Sequence, residues 1–508
     1  MYVEEVSSAQ KVLSPAATAI AAFVGYTERA PHDDPNDPEG VAPRLVTSWS
    51  QYEQLYGGFA KGCYLPLAVY GYFQNGGALA YVCRVPNTKP AEKPATVELP
   101  AAAQALGRPL VLTSREPDAD LTVVVETTER EPDAKGPAPF SITIEGGGEP
   151  VTYRDLTLDT AAAALKSDTR VAVEVKPKEG IDLSSLLDVM KPGRYPMRKA
   201  DPLPVPVSAS AIAGSETARR GINGLAIAED VTMVVVPDLA NAARKDDGTL
   251  DLGMWQAVQT ALIAHCEQHG NRMAILDAPP DMTPQQVREW RSDQAMYASA
   301  FAALYYPWIK VDNPVAETDE DRFVPPSGHI AGLWARTDES RGVWKAPAND
   351  TIRGCLDLRR SITQNEQALL NPVGINCIRP FGTRGIRVWG ARTLAADTDW
   401  QYVNVRRLFN MIETTIMQGT QFAVFEPNDP TLWQGVTRTL TGFLRGLWSA
   451  GALFGDSADQ AFYVKCDAET NPPESIDQGL LVVEVGIAPV KPAEFVVFRI
   501  SQKKQVAG

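Results

Sequence analysis

The chain has 508 residues, 44% of them apolar and 22% charged, with a formal net charge of −14 at pH 7. That length exceeds what one hydrophobic core supports, so two or three domains are expected. The acidic balance excludes a nucleic-acid backbone or an anionic membrane as the main partner, but not self-association through local patches of opposite sign. The six cysteines (Cys63, Cys83, Cys266, Cys355, Cys377, Cys466) show no CxxC pair and no zinc-finger spacing; they read as small buried hydrophobes in a reducing compartment. Glu4 and Glu5 stand where a signal peptide would be basic, and no apolar run approaches the ~20 residues of a membrane helix. Synthesis and folding in the cytoplasm are expected.

Residues 1–8 (MYVEEVSS) read as a short strand, because Tyr2, Val3 and Val6 favour extended backbone. A linker from Ser7 to Ala17 could reach ~36 Å at full extension, freeing that strand from its own domain. A second strand is expected at Thr18–Tyr26, and a helix at Ser48–Tyr56 with Ser48 as N-cap and Gly57-Gly58 as its stop. YLPLAVYGYFQNGG then reads as a helix and a glycine turn at Asn75–Gly77, before a strand at Ala78–Val85.

Composition shifts at Pro86 towards Pro, Ala and charge, with strand signals at Leu121–Glu126, Phe140–Glu145 and Val171–Val175 and an exit through DPLPVPV. A β-rich surface insertion at 87–205 is expected, with both joins in Pro-marked linkers. Beyond Gly221 strands and helices alternate: strands at Val231–Val236, Met273–Leu276 and Leu304–Val311, helices at Leu252–Gln268 and Pro284–Ala303. That is a central α/β layer. The Gly-, Pro-, Trp- and Arg-rich stretch 320–400 reads as long ordered loops. Two helices follow, one with Val405, Phe409, Ile412 and Ile416 in its stripe and Gly419 at its end. The other has Asp429 as N-cap, Pro430 in the first turn, and Leu432, Val436, Leu440, Phe443 and Leu447 buried. Strands at Ala461–Cys466, Leu480–Ile487 and Glu494–Ile500 close the chain. The predicted class is α/β and α+β multidomain: 1–17 arm and linker, 18–86 and 206–345 a middle domain interrupted by 87–205, and 346–508 a C-terminal domain with its own terminal arm.

No catalytic pattern is complete. His265 and His269 have metal-ligand spacing, but the string HCEQH lacks the glutamate position of HExxH. Asp238, Asp277 and Asp312 fall at or just past strand ends, where an open α/β sheet binds ligands but where aspartates also cap helices. GGFAKG at Gly57–Gly62 lacks GxxxxGK[ST], and Ser449 in GLWSAG misses GxSxG by one residue and lies on a helix stripe. An α/β enzyme or ligand-binding protein using the three aspartates is the distant alternative. No enzyme activity, metal or cofactor is expected, and the ten tryptophans suggest packing or interfaces.

Arg406-Arg407, and Arg438 with Arg445 seven residues on, place basic faces on the two C-terminal helices. They read either as solvated faces or as docking points for an acidic partner. A strand at each chain end carries backbone donors and acceptors that need partners. The two ends either close the sheet of their own chain or are donated to a neighbour's.

Several long segments resemble the sheath proteins of contractile tails, found in phages, tailocins and extracellular contractile injection systems. They are YVEEVSS at Tyr2–Ser8, AAFVGYTERAP at Ala21–Pro31, VTSWSQYEQLYGG at Val46–Gly58, GVWKAPAN at Gly342–Asn349, LNPVGINCIRPFGTRGIRVWGARTL at Leu370–Leu394, YVNVRRL at Tyr402–Leu408, and the C-terminal block from Gln401. The insertion at 87–205 is outside the match. Members often carry a few residues ahead of the first strand; here one residue precedes it, so a short arm is expected.

The resemblance implies a helical stack of six-subunit rings around an inner tube, contracting without nucleotide to drive the tube through a target envelope. The C-terminal domain would line the inside and the insertion would decorate the outside. Terminal strands of neighbouring chains would augment the mixed sheet of a third. Carried over, the arms are Tyr2, Val3, Glu4, Glu5 and Val6 at one end and Phe495, Val496, Val497, Phe498 and Ile500 at the other. The receiving sheet is Phe462, Val464, Cys466, Val482, Val483 and Val485, and the possible tube contacts are Arg438, Arg445, Arg406 and Arg407. Implied partners are further copies of the chain, the tube protein, and baseplate and cap or terminator proteins, with no nucleic acid and no membrane insertion. The setting would be the bacterial cytoplasm during assembly, then a phage-tail-like particle. A single long chain favours the phage-like or extracellular injection branch over two-chain secretion sheaths, with a myophage virion tail as the alternative.

Overall fold

The computed structural model describes residues 13–31, 37, 39–89, 95–102, 108–115, 121–127, 138–146, 148–176, 189–197 and 203–494. Two units are distinguished: Asn87–Pro206, and the remainder, Met1–Pro86 with Val207–Gly508.

The larger unit is built on strands that are apolar on both faces. In β1 (Ile20–Gly25), Ala22 and Val24 enter one cluster and Ala21 and Phe23 the other, all fully buried. Such strands need a helical layer on each side. With β2 (Arg44–Val46), β3 (Leu79–Arg84), β4 (Met233–Val235), β5 (Met273–Asp277), β6 (Ala302–Tyr306), β7 (Asp350–Thr351), β8 (Ile375–Pro380) and β9 (Ile386–Trp389), it forms a nine-stranded sheet ordered β7-β9-β8-β6-β5-β4-β1-β3-β2. The run from β8 to β3 is parallel, and β2, β9 and β7 add antiparallel edges.

Two helices at the start follow local rules. In α1 (Trp49–Tyr56) the Gln51 amide donates to Ser48 Oγ, and Gly57 closes the helix at φ +85°. In α2 (Leu65–Asn75) Gly76 takes the left-handed position. One face of the sheet is covered by α3 (Leu252–His269), through Trp255, Val258 and Leu262. The other is covered by α2 and α4 (Ser327–Arg341). These two helices approach so closely that a Cβ at Gly332 would stand 2.4 Å from the Tyr72 carbonyl oxygen, and one at Gly328 2.5 Å from that of Ala68. His329, between these glycines, lies over Gly71. It is buried with Nδ1 unpartnered, and burial pushes it down to about 4.

Two sequence expectations fail here. The stretch 320–400 is not loops: it holds α4, a capped helix at Gln364–Leu370, and β7, β8 and β9. The glycines that suggested loops are where α2 packs, so tertiary contact overrides their poor helix propensity. The expected helix Pro284–Ala303 stops early, passing through a π-turn at Trp290–Ala295 to Met296 at φ +45°. Ala302 and Ala303 instead pair in parallel with Ala274 and Ile275 and are fully buried between the two layers. The strand pairing of Asp350–Trp389 also carries the middle sheet past residue 345.

The smaller unit has a three-stranded antiparallel sheet (Thr96–Leu99, Leu110–Ser114, Val171–Val175) and a four-stranded one (Thr122–Thr127, Phe140–Glu145, Val151–Leu156, Gly193–Pro196). Inward residues of both, such as Leu112, Val123 and Ile142, form one core. A helix at Leu158–Ala164, with a Thr157/Thr160 capping box, joins it.

The chain then gives α5 (Val403–Gly419), α6 (Pro430–Ser449) and a ribbon of β10 (Phe462–Lys465) and β11 (Glu484–Ile487). Leu408, Met411 and Ile412 of α5 meet Val436, Leu440, Phe443, Leu444 and Leu447 of α6 in a cluster of their own. Asp429 caps α6 by accepting from the Leu432 amide at 2.8 Å.

Candidate assembly site

The ribbon is separate from the nine-stranded sheet. β10 and β11 pair in antiparallel register, Phe462 with Ile487 through Lys465 with Glu484. Among the described residues no third strand joins either side. Phe462 is buried in the α5–α6 cluster, Val464 and Val485 are half-buried, and Tyr463 is exposed. A two-stranded ribbon with free edges is marginal by itself and offers backbone groups on both sides.

Not all of the expected receiving residues qualify. Val482 and Val483 precede β11, and Asn471 holds Val482 at both ends, accepting from its amide at 2.7 Å and donating to its carbonyl at 2.9 Å. Cys466 falls just past β10, in contact with the same Asn471. The buried amide of Asn471 thus ends the ribbon and shortens the expected strand Leu480–Ile487 to four residues.

Both chain ends leave from pinned points. Leu13 is buried against α5 beside Gly419, the Ala16 amide donates to Thr415 Oγ1 at 2.9 Å, and Arg407 donates to the Thr18 carbonyl at 2.8 Å. The described part of the expected free linker, residues 13–17, is therefore held against α5. At the other end Glu494 accepts from Arg392 Nε at 2.9 Å, and from Arg392 Nη2, and from Asn371 Nδ2 at 2.6 Å. Burial would raise the Glu494 carboxyl, but these donors outweigh it and hold it below the ordinary value. The arm residues themselves, Tyr2, Val3, Glu4, Glu5 and Val6, with Phe495, Val496, Val497, Phe498 and Ile500, lie outside the described residues. Neither clamp has a sequence signature, because its partners are 102 and 399 residues apart.

The four arginines divide sharply. Arg407, 4% exposed, pairs with buried Asp338 (2.9 Å through Nη1) and lies 4.8 Å over the Trp334 ring. Burial pushes the Asp338 carboxyl up, against the opposing pull of Arg407. Arg406, 6% exposed, lies 4.4 Å over Trp400 and 4.8 Å over Phe301, and bonds Asn410 at 2.7 Å and Glu413 at 2.9 Å. The reading of Arg406-Arg407 as a solvated or docking face is thereby corrected: both tie α5 to the α/β body. A planar guanidinium stacks on rings as well as pairing with carboxylates, which suits it to burial. Arg438 and Arg445 are exposed, with no ion pair among the described residues.

The aspartates are structural. Asp238 accepts from the amides of Tyr26 (2.7 Å), Tyr64 (2.5 Å) and Leu65 (3.2 Å), so it caps α2 from the end of β4. Asp277, at the end of β5, accepts from the Ser327 amide and hydroxyl at 2.9 and 2.5 Å and caps α4. Burial pushes each up to about 7, against the pull of its hydrogen bonds. Asp312 is 91% exposed, 3.7 Å from Arg322. His265 is buried with Nε2 3.2 Å from Arg272, and burial, then the arginine's charge, pushes it down to about 3. Arg272 in turn donates to the Leu225 and Ala228 carbonyls. Among the described residues no three His, Cys, Asp or Glu side chains gather as a metal set, and no helix is long and apolar enough to cross a membrane.

Two family models match adjacent stretches of the chain. Residues 247–394 match the phage tail sheath protein central domain, and 395–503 the phage tail sheath C-terminal domain. A prophage major tail sheath protein of Pseudomonas aeruginosa (strain UCBPP-PA14) is 29% identical over 256 residues, 49% of this chain and 62% of the relative. The tail sheath protein of Burkholderia phage BcepMu is 30% identical over 224 residues, 42% of this chain and 45% of the relative. The chain thus spans less than two thirds of these relatives' length. Among solved structures, the sheath complex of the extracellular contractile injection system PVC in its contracted state aligns over 99% of this chain and 97% of its own, at 25% identity and TM-score 0.59. The contracted helical sheath of the anti-feeding prophage aligns over 99% and 98%, at 25% and 0.58. The matched domain models, the curated relatives and the full-length fold agree: the chain belongs to the contractile tail sheath protein family.

Proposed function

We propose that the chain is the repeating subunit of a contractile sheath, stacked as six-membered rings around an inner tube and held together by strand exchange. The observation that carries this is the β10–β11 ribbon, whose outer edges find no third strand among the described residues while both chain ends depart from fixed clamps. Tyr2–Val6 and Phe495–Ile500 of neighbouring copies add to the ribbon, main-chain hydrogen bonds supplying adhesion. A head-to-tail contact of this kind does not close on itself and so generates a helix. Residues 87–205 serve as surface decoration. Contraction repacks subunit faces to lower free energy while the strands stay paired, so it needs no nucleotide.

Of the four basic residues expected at the tube, exposed Arg445 is assigned to a tube of complementary charge and exposed Arg438 to a contact between subunits; Arg406 and Arg407, already paired inside the chain, are assigned to neither. Baseplate and cap proteins hold the extended state. The injection-system branch is preferred over a virion tail because two sheaths of such systems align over 99% of this chain.

Deleting Met1–Ser8 tests the central claim. The expected product is a folded monomer with an unchanged melting temperature and no tubes in negative-stain micrographs; normal tubes would refute strand exchange.

A further inference from the structure

We infer that the loop joining α5 to α6 is a knob that seats in a groove beside the far end of α6 on a second copy of the chain. This deepens the sheath reading and rests on it.

The knob is Val424–Pro427. Phe425 is wholly exposed and takes φ +68°, a region a bulky side chain enters only when its surroundings hold it there. The base of the loop is anchored. Asn428 donates to the Leu480 carbonyl at 2.9 Å and accepts from Trp433 Nε1 at 2.7 Å, and Asp429 next to it is the α6 cap. Exposed Val424 widens the apolar tip. Burial of so exposed an aromatic would remove apolar surface from water, and aromatics are the usual anchors of interfaces.

The hole is a groove of about 650 Å³, within the ~300–1,000 Å³ of sites that enclose ligand-sized groups. Val343, Trp344, Phe443 and Leu447 give it apolar walls. Among the described residues a Cβ at Gly442 or Gly446 would meet nothing within 4 Å, and Leu13, Pro15 and Ala16 line the groove as well. Arg438 stands in its lining, exposed and without an ion-pair partner among the described residues, and Glu426, next to the knob's ring, is exposed and equally unpaired. Seating Phe425 would bring these two charges together.

The fit is between copies. The knob precedes the first residue of α6, whereas the groove runs along residues 438–450, roughly 12 to 30 Å further along the helix at 1.5 Å per residue. Complementary features at opposite ends of one helix make a heterologous contact that repeats without closing. It would add a side-chain lock, fixing spacing and register, to strand pairing, which tolerates sliding.

The test mixes chains carrying only Glu426→Cys with chains carrying only Arg438→Cys, assembles them and oxidises mildly. The expected result on a non-reducing gel is a two-chain band well above that of oxidised wild type or either variant alone. Phe425→Ala and Glu426→Arg should each lower tube yield at least tenfold, and Glu426→Arg with Arg438→Glu should restore it. Wild-type tubes with no cross-linked pair in the mixture, or cross-linking of Arg438→Cys to a tube protein instead, would overturn the contact and leave the sheath reading standing. A wild-type chain that forms no tubes would overturn both.

Discussion

The nine-stranded sheet and the two-stranded ribbon belong to one chain and solve the edge problem in opposite ways. The large sheet is covered on both faces and ends in strands of three and two residues, Arg44–Val46 and Asp350–Thr351. Short edge strands leave little backbone to pair with another chain. The ribbon has two four-residue strands, one exposed tyrosine and no neighbour on either side among the described residues. In the proposed assembly the first region is closed by its own chain and the second is completed by neighbours, so that the body survives repacking while the joints remain paired.

The sharpest way to break this comparison is to remove the C-terminal arm, residues 495–508. Tubes should disappear while the melting temperature of the monomer stays unchanged, read by negative-stain microscopy and thermal unfolding. A lower melting temperature would mean that the arm completes its own body. Next in size is Gly332→Val, which drives a side chain into the α2 backbone at Tyr72. Overpacking of that kind should cost about 3 kcal/mol, measured by urea unfolding, with the α5–α6 region losing structure in the same transition.

A smaller effect comes from pH. Burial holds His329 at about 4, against 6.5 for the ordinary group. Below 6.5 the unfolded chain takes up a proton that folded His329 refuses, so its contribution to stability falls as pH drops towards 4. That is about 2 kcal/mol between pH 6.5 and 5. Asp238 and Asp277, held at about 7, push the other way: they retain protons that the unfolded carboxyls release, so their contribution falls as pH rises from about 4 to 7. Comparing wild type with His329→Gln across this range isolates the histidine, and parallel stability curves would remove it from the account. The smallest effect contrasts with Gly332. Gly435 lies in α6 with nothing within 4 Å of an added Cβ, so Gly435→Ala should stabilise the monomer by about 0.5–1 kcal/mol.

Much of the fold was legible in residue pattern. Strands β1, β3 and β5, the Ser48 and Asp429 caps, and the helices α5 and α6 follow from periodicity and turn chemistry that act within a few residues. The resemblance, carried by motifs such as YVNVRRL and the Leu370–Leu394 block, reached the family. What failed did so for a physical reason. In α4 the glycines at 328 and 332 suggested loops, yet a helix packed against them makes their lack of a side chain an advantage. The Ala-rich run ending at Ala303 reads as helix locally, and only parallel pairing with β5 makes it a strand.

Of the residues expected to receive a neighbour's strand, Phe462, Val464 and Val485 lie on the ribbon, and Val482, Val483 and Cys466 lie just beyond it, where Asn471 bonds Val482. Arg406-Arg407 and Arg438 look alike in sequence, and burial alone tells them apart. By itself, then, the sequence determined the local elements, their caps and the family, since these rest on neighbours within a helical turn or on long linear motifs. Tertiary structure alone decided which charges are consumed inside the body and which ribbon edges stay open among the described residues, because those outcomes depend on groups beyond the local chain meeting in space, as Arg407 meets Asp338 69 residues away and Thr18 389 away.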